Sequence, residues 1–113
     1  MKALSVKQPW ANLIASGAKT IETRTWKTDY RGPLVICSSK TPDIAPAGHA
    51  LAIAQLTDCR PMSVLDEGAA KCRKYDGAFA WVLTDVRPLQ PFPVRGHIGL
   101  FEVDLPHEAA PFD

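Results

Sequence analysis

Apolar and polar positions along this chain switch repeatedly between a two-residue and a three-to-four-residue period, and the switches divide it into short elements. Residues 3–6, Ala-Leu-Ser-Val, predict a strand. Trp10, Leu13 and Ile14 then fall on one apolar stripe and predict a helix of about two turns. Pro9 suits its first turn, where a missing N–H leaves no bond unmade, and Gly17 suits the left-handed position that closes it. Residues 20–26, rich in β-branched and aromatic types, predict a strand with Ile21, Thr23 and Thr25 on one face and Glu22, Arg24 and Trp26 on the other. Tyr30-Arg31-Gly32-Pro33 is a turn, residues 33–38 a strong strand centred on Leu34-Val35-Ile36, and residues 39–49 a loop of Pro, Gly and polar residues. Residues 50–58 predict a strand stopped by Pro61. Residues 62–75 predict a helix capped by Ser63, with Asp66 and Glu67 early and Lys71, Arg73 and Lys74 late, as the helix dipole favours. Residues 79–83 predict a strand, 89–93 a proline-punctuated connection, 98–105 the last strand and 106–113 a loose tail.

About six strands and two helices, with no strand–helix–strand repeat, disfavour a doubly wound parallel sheet. Many short strands separated by Pro and Gly predict instead a mostly-β α+β protein: a small barrel with helices plugging its ends. At 113 residues the chain accommodates one core, so residues 1–105 form a single domain and 106–113 its tail. A hydrophobic content of 46% with 22% charged residues is that of a globular chain and excludes disorder throughout. No apolar run reaches the roughly 20 residues that cross a bilayer, and the N-terminus lacks the apolar stretch of a secretory signal. Cys37, Cys59 and Cys72 are odd in number and lack metal-ligand spacing, which predicts free thiols, a cytoplasmic location and no bound metal or other cofactor.

The net charge of +1 conceals an asymmetry. Residues 1–40 carry seven cations against two anions, and residues 41–113 carry six against ten. A basic face on a neutral protein attracts a polyanion locally. Lys19, Glu22 and Arg24 lie within six residues, with Glu22 and Arg24 on one strand face and Lys19 at its mouth. They make either a simple ion pair or a preoriented charged group with donors left for phosphate or a base edge. Trp10, Trp26, Tyr30 and Trp81 are candidate stacking platforms for a base, the protein core being the competing place for Trp10 and Trp81. Ser38, Ser39 and Lys40 follow a strand and either reach a pocket rim or end in a simple turn. His49, His97 and His107 are distant from one another and sit in no catalytic pattern. No P-loop, GxGxxG or GxSxG is present, which excludes the nucleotide-triphosphate, dinucleotide and serine-hydrolase signatures.

The opening Lys2-Ala3-Leu4-Ser5-Val6-Lys7-Gln8-Pro9-Trp10-Ala11 and the pattern Gly17-x-Lys19-x-x-Glu22-x-Arg24 resemble ASCH-domain proteins, whose hallmark is Gly-x-Lys-x-x-Glu-x-Arg. Tyr30-Arg31-Gly32-Pro33-Leu34, Ala80-Trp81-Val82-Leu83 and Gly96 with Gly99-Leu100-Phe101 extend the likeness over residues 1–105. The resemblance implies a PUA-like pseudo-barrel with a cleft that binds RNA or a modified nucleoside. It implies Lys19, Glu22 and Arg24 as contacts, with Gln8, Trp10 and Trp26 beside them. It also implies two alternatives: a hydrolase acting on RNA or a modified nucleoside, with Lys19 and Glu22 as catalytic groups, or a protein-interaction domain in which the motif is structural. One branch of the family resembles an amidohydrolase of acetylated cytidine and has a Thr nucleophile where this chain has Glu22.

Overall fold

In chain order the computed structural model, which describes residues 1–107, comprises β1 (Lys2–Val6), α1 (Trp10–Ala15), β2 (Ile21–Arg24), β3 (Gly32–Ser38), β4 (His49–Pro61), a 3-10 turn (Val64–Asp66), α2 (Glu67–Ala70), β5 (Phe79–Pro93) and β6 (Leu100–Glu102). The expected loose tail lies, from residue 108 onward, outside the described residues. The six strands form one sheet in the order β2-β5-β4-β3-β1-β6. β1 and β3 are parallel, and the other pairs are antiparallel. The sheet curls into a half-barrel with two short helices, as the sequence pattern predicts. Among the described residues no helix is long and apolar enough to cross a membrane.

Both faces of the central strands are covered, which explains the unbroken apolar run at Leu34-Val35-Ile36. Leu4, Val6, Leu34 and Ile36 join Leu56, Trp81 and Leu83 on one face, where α1 contributes Ala11 and Ile14. Ala3, Val35 and Cys37 point to the other face and pack with Ile53, Leu89 and Phe101. Burial on that side pushes the Cys37 thiol up to about 12, so it remains protonated. All three cysteines are free.

Four elements depart from the pattern-based expectation, the strand expected over residues 20–26 being shortened to Ile21–Arg24 so that Trp26 follows it. The helix expected over residues 62–75 shrinks to the 3-10 turn and the four residues of α2. Ser63 does cap this segment: its hydroxyl accepts from Leu65 N at 3.1 Å while Asp66 accepts from Ser63 N at 2.8 Å. The helix stops because its terminal carbonyls are taken by other parts of the chain. Ala69 O accepts from Thr20 N at 3.0 Å, Ala70 O accepts from Lys19 Nζ, and Lys71 turns away at φ +59°. The connection expected at residues 89–93 is instead the far half of β5. β2 pairs with β5 only from Phe79 to Val82, so the later prolines lie where β5 lacks a ladder on that side, a place that tolerates a missing N–H. β6 keeps only three of the residues expected to form the last strand.

Arg60 grips Asp66 with two hydrogen bonds, at 2.7 and 2.9 Å. Those bonds, together with the Ser63 amide, hold the Asp66 carboxyl at about 2. A carboxylate lowered in the folded state stabilises the protein above the unfolded value of about 3.9, and that stability is lost as pH falls through the folded value. Asp66→Asn is therefore expected to lower neutral-pH stability by about 0.5–2 kcal/mol, the range for a lost cap. It is also expected to flatten the acid limb of stability between roughly pH 4 and pH 2. Thermal unfolding followed across that pH range checks both effects.

Candidate functional site

The site begins where α1 ends. Gly17, at φ +84°, reverses the chain, and Lys19 N then donates back to Leu13 O at 3.0 Å. This turn feeds β2 directly beneath α2. The Lys19 side chain is 1% exposed, and its ammonium donates to Ala70 O, the last carbonyl of α2. A cation there also meets the negative end of the helix dipole. Glu22, 7% exposed, brings Oε1 to 3.6 Å from Lys19 Nζ. Its Oε2 accepts from Arg24 Nε at 3.1 Å and lies 3.0 Å from Arg24 Nη2. Arg24 Nη2 continues the row by donating to Ser5 O on β1 at 2.6 Å. One charged row thus joins α2, β2 and β1.

Burial pulls the Lys19 pKa below the ordinary lysine value, and the adjacent Glu22 carboxylate opposes that fall. Ammonium and carboxylate therefore hold each other in a place where neither would be stable alone. Arg24 keeps spare capacity. A guanidinium has five N–H donors, and among the described residues no acceptor takes those of Nη1.

The row borders a cleft of about 1260 Å³. Lys19, Glu22, Arg24, Trp10 and Trp26 all line it. Trp10 stays 38% exposed at the start of α1. Trp26 is half-buried and stands edge-on to Trp81, with ring centroids 4.8 Å apart and planes at 82°. Its carbonyl accepts from Trp81 Nε1 at 3.3 Å, which anchors the segment after β2. Trp81 itself is wholly buried in the core, and Tyr30 donates its hydroxyl to Pro33 O at 2.6 Å. Neither Trp81 nor Tyr30 lines the cleft.

Gln8, expected beside the motif, is not itself among the residues lining the cleft but bonds to Ser38, which is. It is buried, donating to Ser38 Oγ and Asn12 Oδ1 and accepting from Asn12 N, each at 3.0 Å, so it ties α1 to β3. Thr23 joins the cleft lining despite the strict alternation expected for β2; its hydroxyl lies 3.8 Å from Cys72 Sγ, which also lines the cleft. Ser38, Ser39 and Lys40 reach the cleft, the pocket-rim alternative for that segment. Arg95, in the link from β5 to β6, lines the cleft although no sequence pattern marks it, and so does His97, which sits in no catalytic pattern. The available signal was a cation directly before Gly96, a residue that permits close backbone approach.

The molecule is a small mostly-β domain, a curled half-barrel whose cleft is bordered by buried Lys19 and Glu22 and the partly exposed Arg24. The ASCH domain model matches residues 4–93, and the chain belongs to the ASCH domain family. It is 25% identical over 127 aligned positions to human Activating signal cointegrator 1 and 24% identical to the mouse protein of that name. Each alignment covers 89% of this chain but 22% of the relative, so the chain spans about a fifth of their length. Among solved structures, the ASCH protein of Zymomonas mobilis has a TM-score of 0.72 at 17% identity, covering 91% of this chain and 87% of that one. A point mutant of the same protein gives 0.68 at 16%, covering 91% and 89%. These structures establish the fold.

Removing the Glu22 carboxylate strands the Lys19 ammonium. Glu22→Ala is expected to destabilise the domain by about 3–5 kcal/mol, as for a broken buried ion pair. Glu22→Gln keeps an oxygen acceptor near Lys19 and is expected to lose less. Urea unfolding of the two variants and the parent gives the comparison.

Proposed function

We propose that the cleft binds RNA or a modified nucleoside. The observation that carries this reading is the placement of Trp10 and Trp26 in the same cleft as the Lys19–Glu22–Arg24 row. An indole offers a base a stacking surface worth about 1–3 kcal/mol, independent of base identity. The free Nη1 donors of Arg24 supply a planar fork for a phosphate or a base acceptor. Glu22 retains lone pairs beyond those facing Lys19 and Arg24, so it can accept from an exocyclic amine. Lys19 adds charge at the cleft floor while remaining fixed by Ala70 O.

Arg24→Ala removes the fork. Affinity for a short single-stranded RNA is expected to fall by roughly tenfold or more, in line with one charge-assisted hydrogen bond of about 1.5–3 kcal/mol. Arg24→Lys, which retains charge without the fork, is expected to recover part of the loss. Fluorescence anisotropy measures both, with circular dichroism reporting folding. RNA affinity unchanged in a folded Arg24→Ala protein would overturn the reading.

A hydrolase is the second reading, favoured by one observation: Lys19 has a lowered pKa and lies 3.6 Å from the Glu22 carboxylate beside open space. A lysine with a depressed pKa can serve as a general base, and Glu22 can serve as acid or base or activate a water. Product analysis after incubation with acetylated cytidine and with short RNA separates the readings. Turnover abolished by Glu22→Gln would establish catalysis; binding without turnover leaves recognition as the function.

A further inference from the structure

The cations lining the cleft fall into two sets. Lys19 and Arg24 form the inner set and are paired with Glu22, the one acidic residue lining the cleft among the described residues. Lys7, Lys40 and Arg95 form the outer set. All three are exposed, all three line the cleft, and none of their side chains has an ion pair or hydrogen bond among the described residues. They come from three separate segments: the turn after β1, the loop after β3 and the link after β5.

The backbone around them is shaped to hold these positions. The stem of Lys40 runs across Gly48, where an added Cβ would lie 3.2 Å from Lys40 Cγ. Gly96 presses against β1 so closely that a Cβ would stand 2.8 Å from Ser5 Oγ, which sets the neighbouring Arg95 beside the opening. Three like charges line one cleft with no acidic partner among the described residues, and an anionic ligand would supply one. The space also exceeds what one small molecule needs. Small-molecule clefts and cavities run to about 300–1000 Å³, whereas this cleft measures about 1260 Å³ and is partly open.

Resting on the reading that the inner cleft accepts a base, we propose that Lys7, Lys40 and Arg95 hold the phosphates of a single-stranded nucleic acid, so that the occupant is an oligonucleotide bound with one base inward and its backbone across the outer cations. A free nucleoside uses only the inner half of such a site. A duplex cannot place a base there without unpairing it.

The test compares three probes: cytidine, cytidine monophosphate and an eight-nucleotide single-stranded RNA. Each is titrated against the parent protein and against the combined variant Lys7→Gln, Lys40→Gln, Arg95→Gln. A second variant, Lys27→Gln, Lys71→Gln, Lys74→Gln, removes the same charge at positions outside the cleft lining. The parent is expected to bind the RNA more tightly than cytidine, with the monophosphate intermediate. Neutralising the outer cleft cations is expected to weaken RNA binding by roughly tenfold or more and to reduce the salt slope of log affinity by about 2, at about 0.7 per phosphate contact on a single strand. Cytidine binding is expected to stay unchanged in both variants.

Cytidine bound as tightly as the RNA, with no effect of the outer variant, would overturn this assignment while leaving the base-binding cleft intact. Equal losses in the two triple variants would overturn it as a nonspecific charge effect. Binding of polyglutamate as tight as that of the RNA would overturn it in favour of an acidic protein partner. Failure of all three nucleic-acid probes to bind would overturn both this assignment and the reading beneath it.

Discussion

An ammonium group taken out of water must be matched by fixed acceptors, and buried Lys19 imposes that requirement beside the edge strand β2. Its partners come from different parts of the chain: the last carbonyl of α2 and the carboxylate of Glu22. Glu22 in turn holds Arg24, and Arg24 reaches the backbone of β1 at Ser5. The row therefore fixes the edge strand β2 relative to both α2 and the opposite side of the curled sheet. A neutral side chain at position 19 would leave the end of α2 without its cation and Glu22 without one of its two.

That constraint links stability with the cleft. The groups that tie β2 in place also line the open space, so the site is preorganised by contacts the fold already requires. Trp26 follows the same logic. Its backbone receives the Trp81 indole N–H from the core, and its ring is held against Trp81 while still lining the cleft. Gln8 is the counterexample. It sits close in sequence to Trp10, but its amide is fully engaged in joining α1 to β3.

The mixture of parallel and antiparallel pairing places the cleft walls. β1 lies between β3 and β6, so the link from β5 to β6 returns alongside the start of the chain. Arg95 and His97 thereby line the same space as Lys7 and Trp10, although nearly the whole sequence separates them. The Arg60–Asp66 pair on the far side of α2 performs a local task, closing the 3-10 turn from which α2 starts.

Where a short-range rule governs, the residues alone were enough. The β-branched and apolar run at positions 33–38, the helix announced by Trp10, Leu13 and Ile14, the stop at Gly17 and the shared side of Glu22 and Arg24 each follow from local geometry, although the helix buries Ala11 and Ile14 and leaves Trp10 exposed. So does the Ser63 cap, whose partners lie within three residues. The length of α2 was not legible, because Lys19 and Thr20, about fifty positions away, take the carbonyls a longer helix would have used. Residues 89–93 read as a connection because proline usually breaks a ladder, and only the sheet order reveals that this part of β5 has β4 on one side and no β2 partner on the other. The outer cations were scattered charges until three segments met. Local torsional preferences and side-chain periodicity are written into neighbouring residues, whereas burial, pairing and the convergence of charge arise only when distant parts of the chain share the same space.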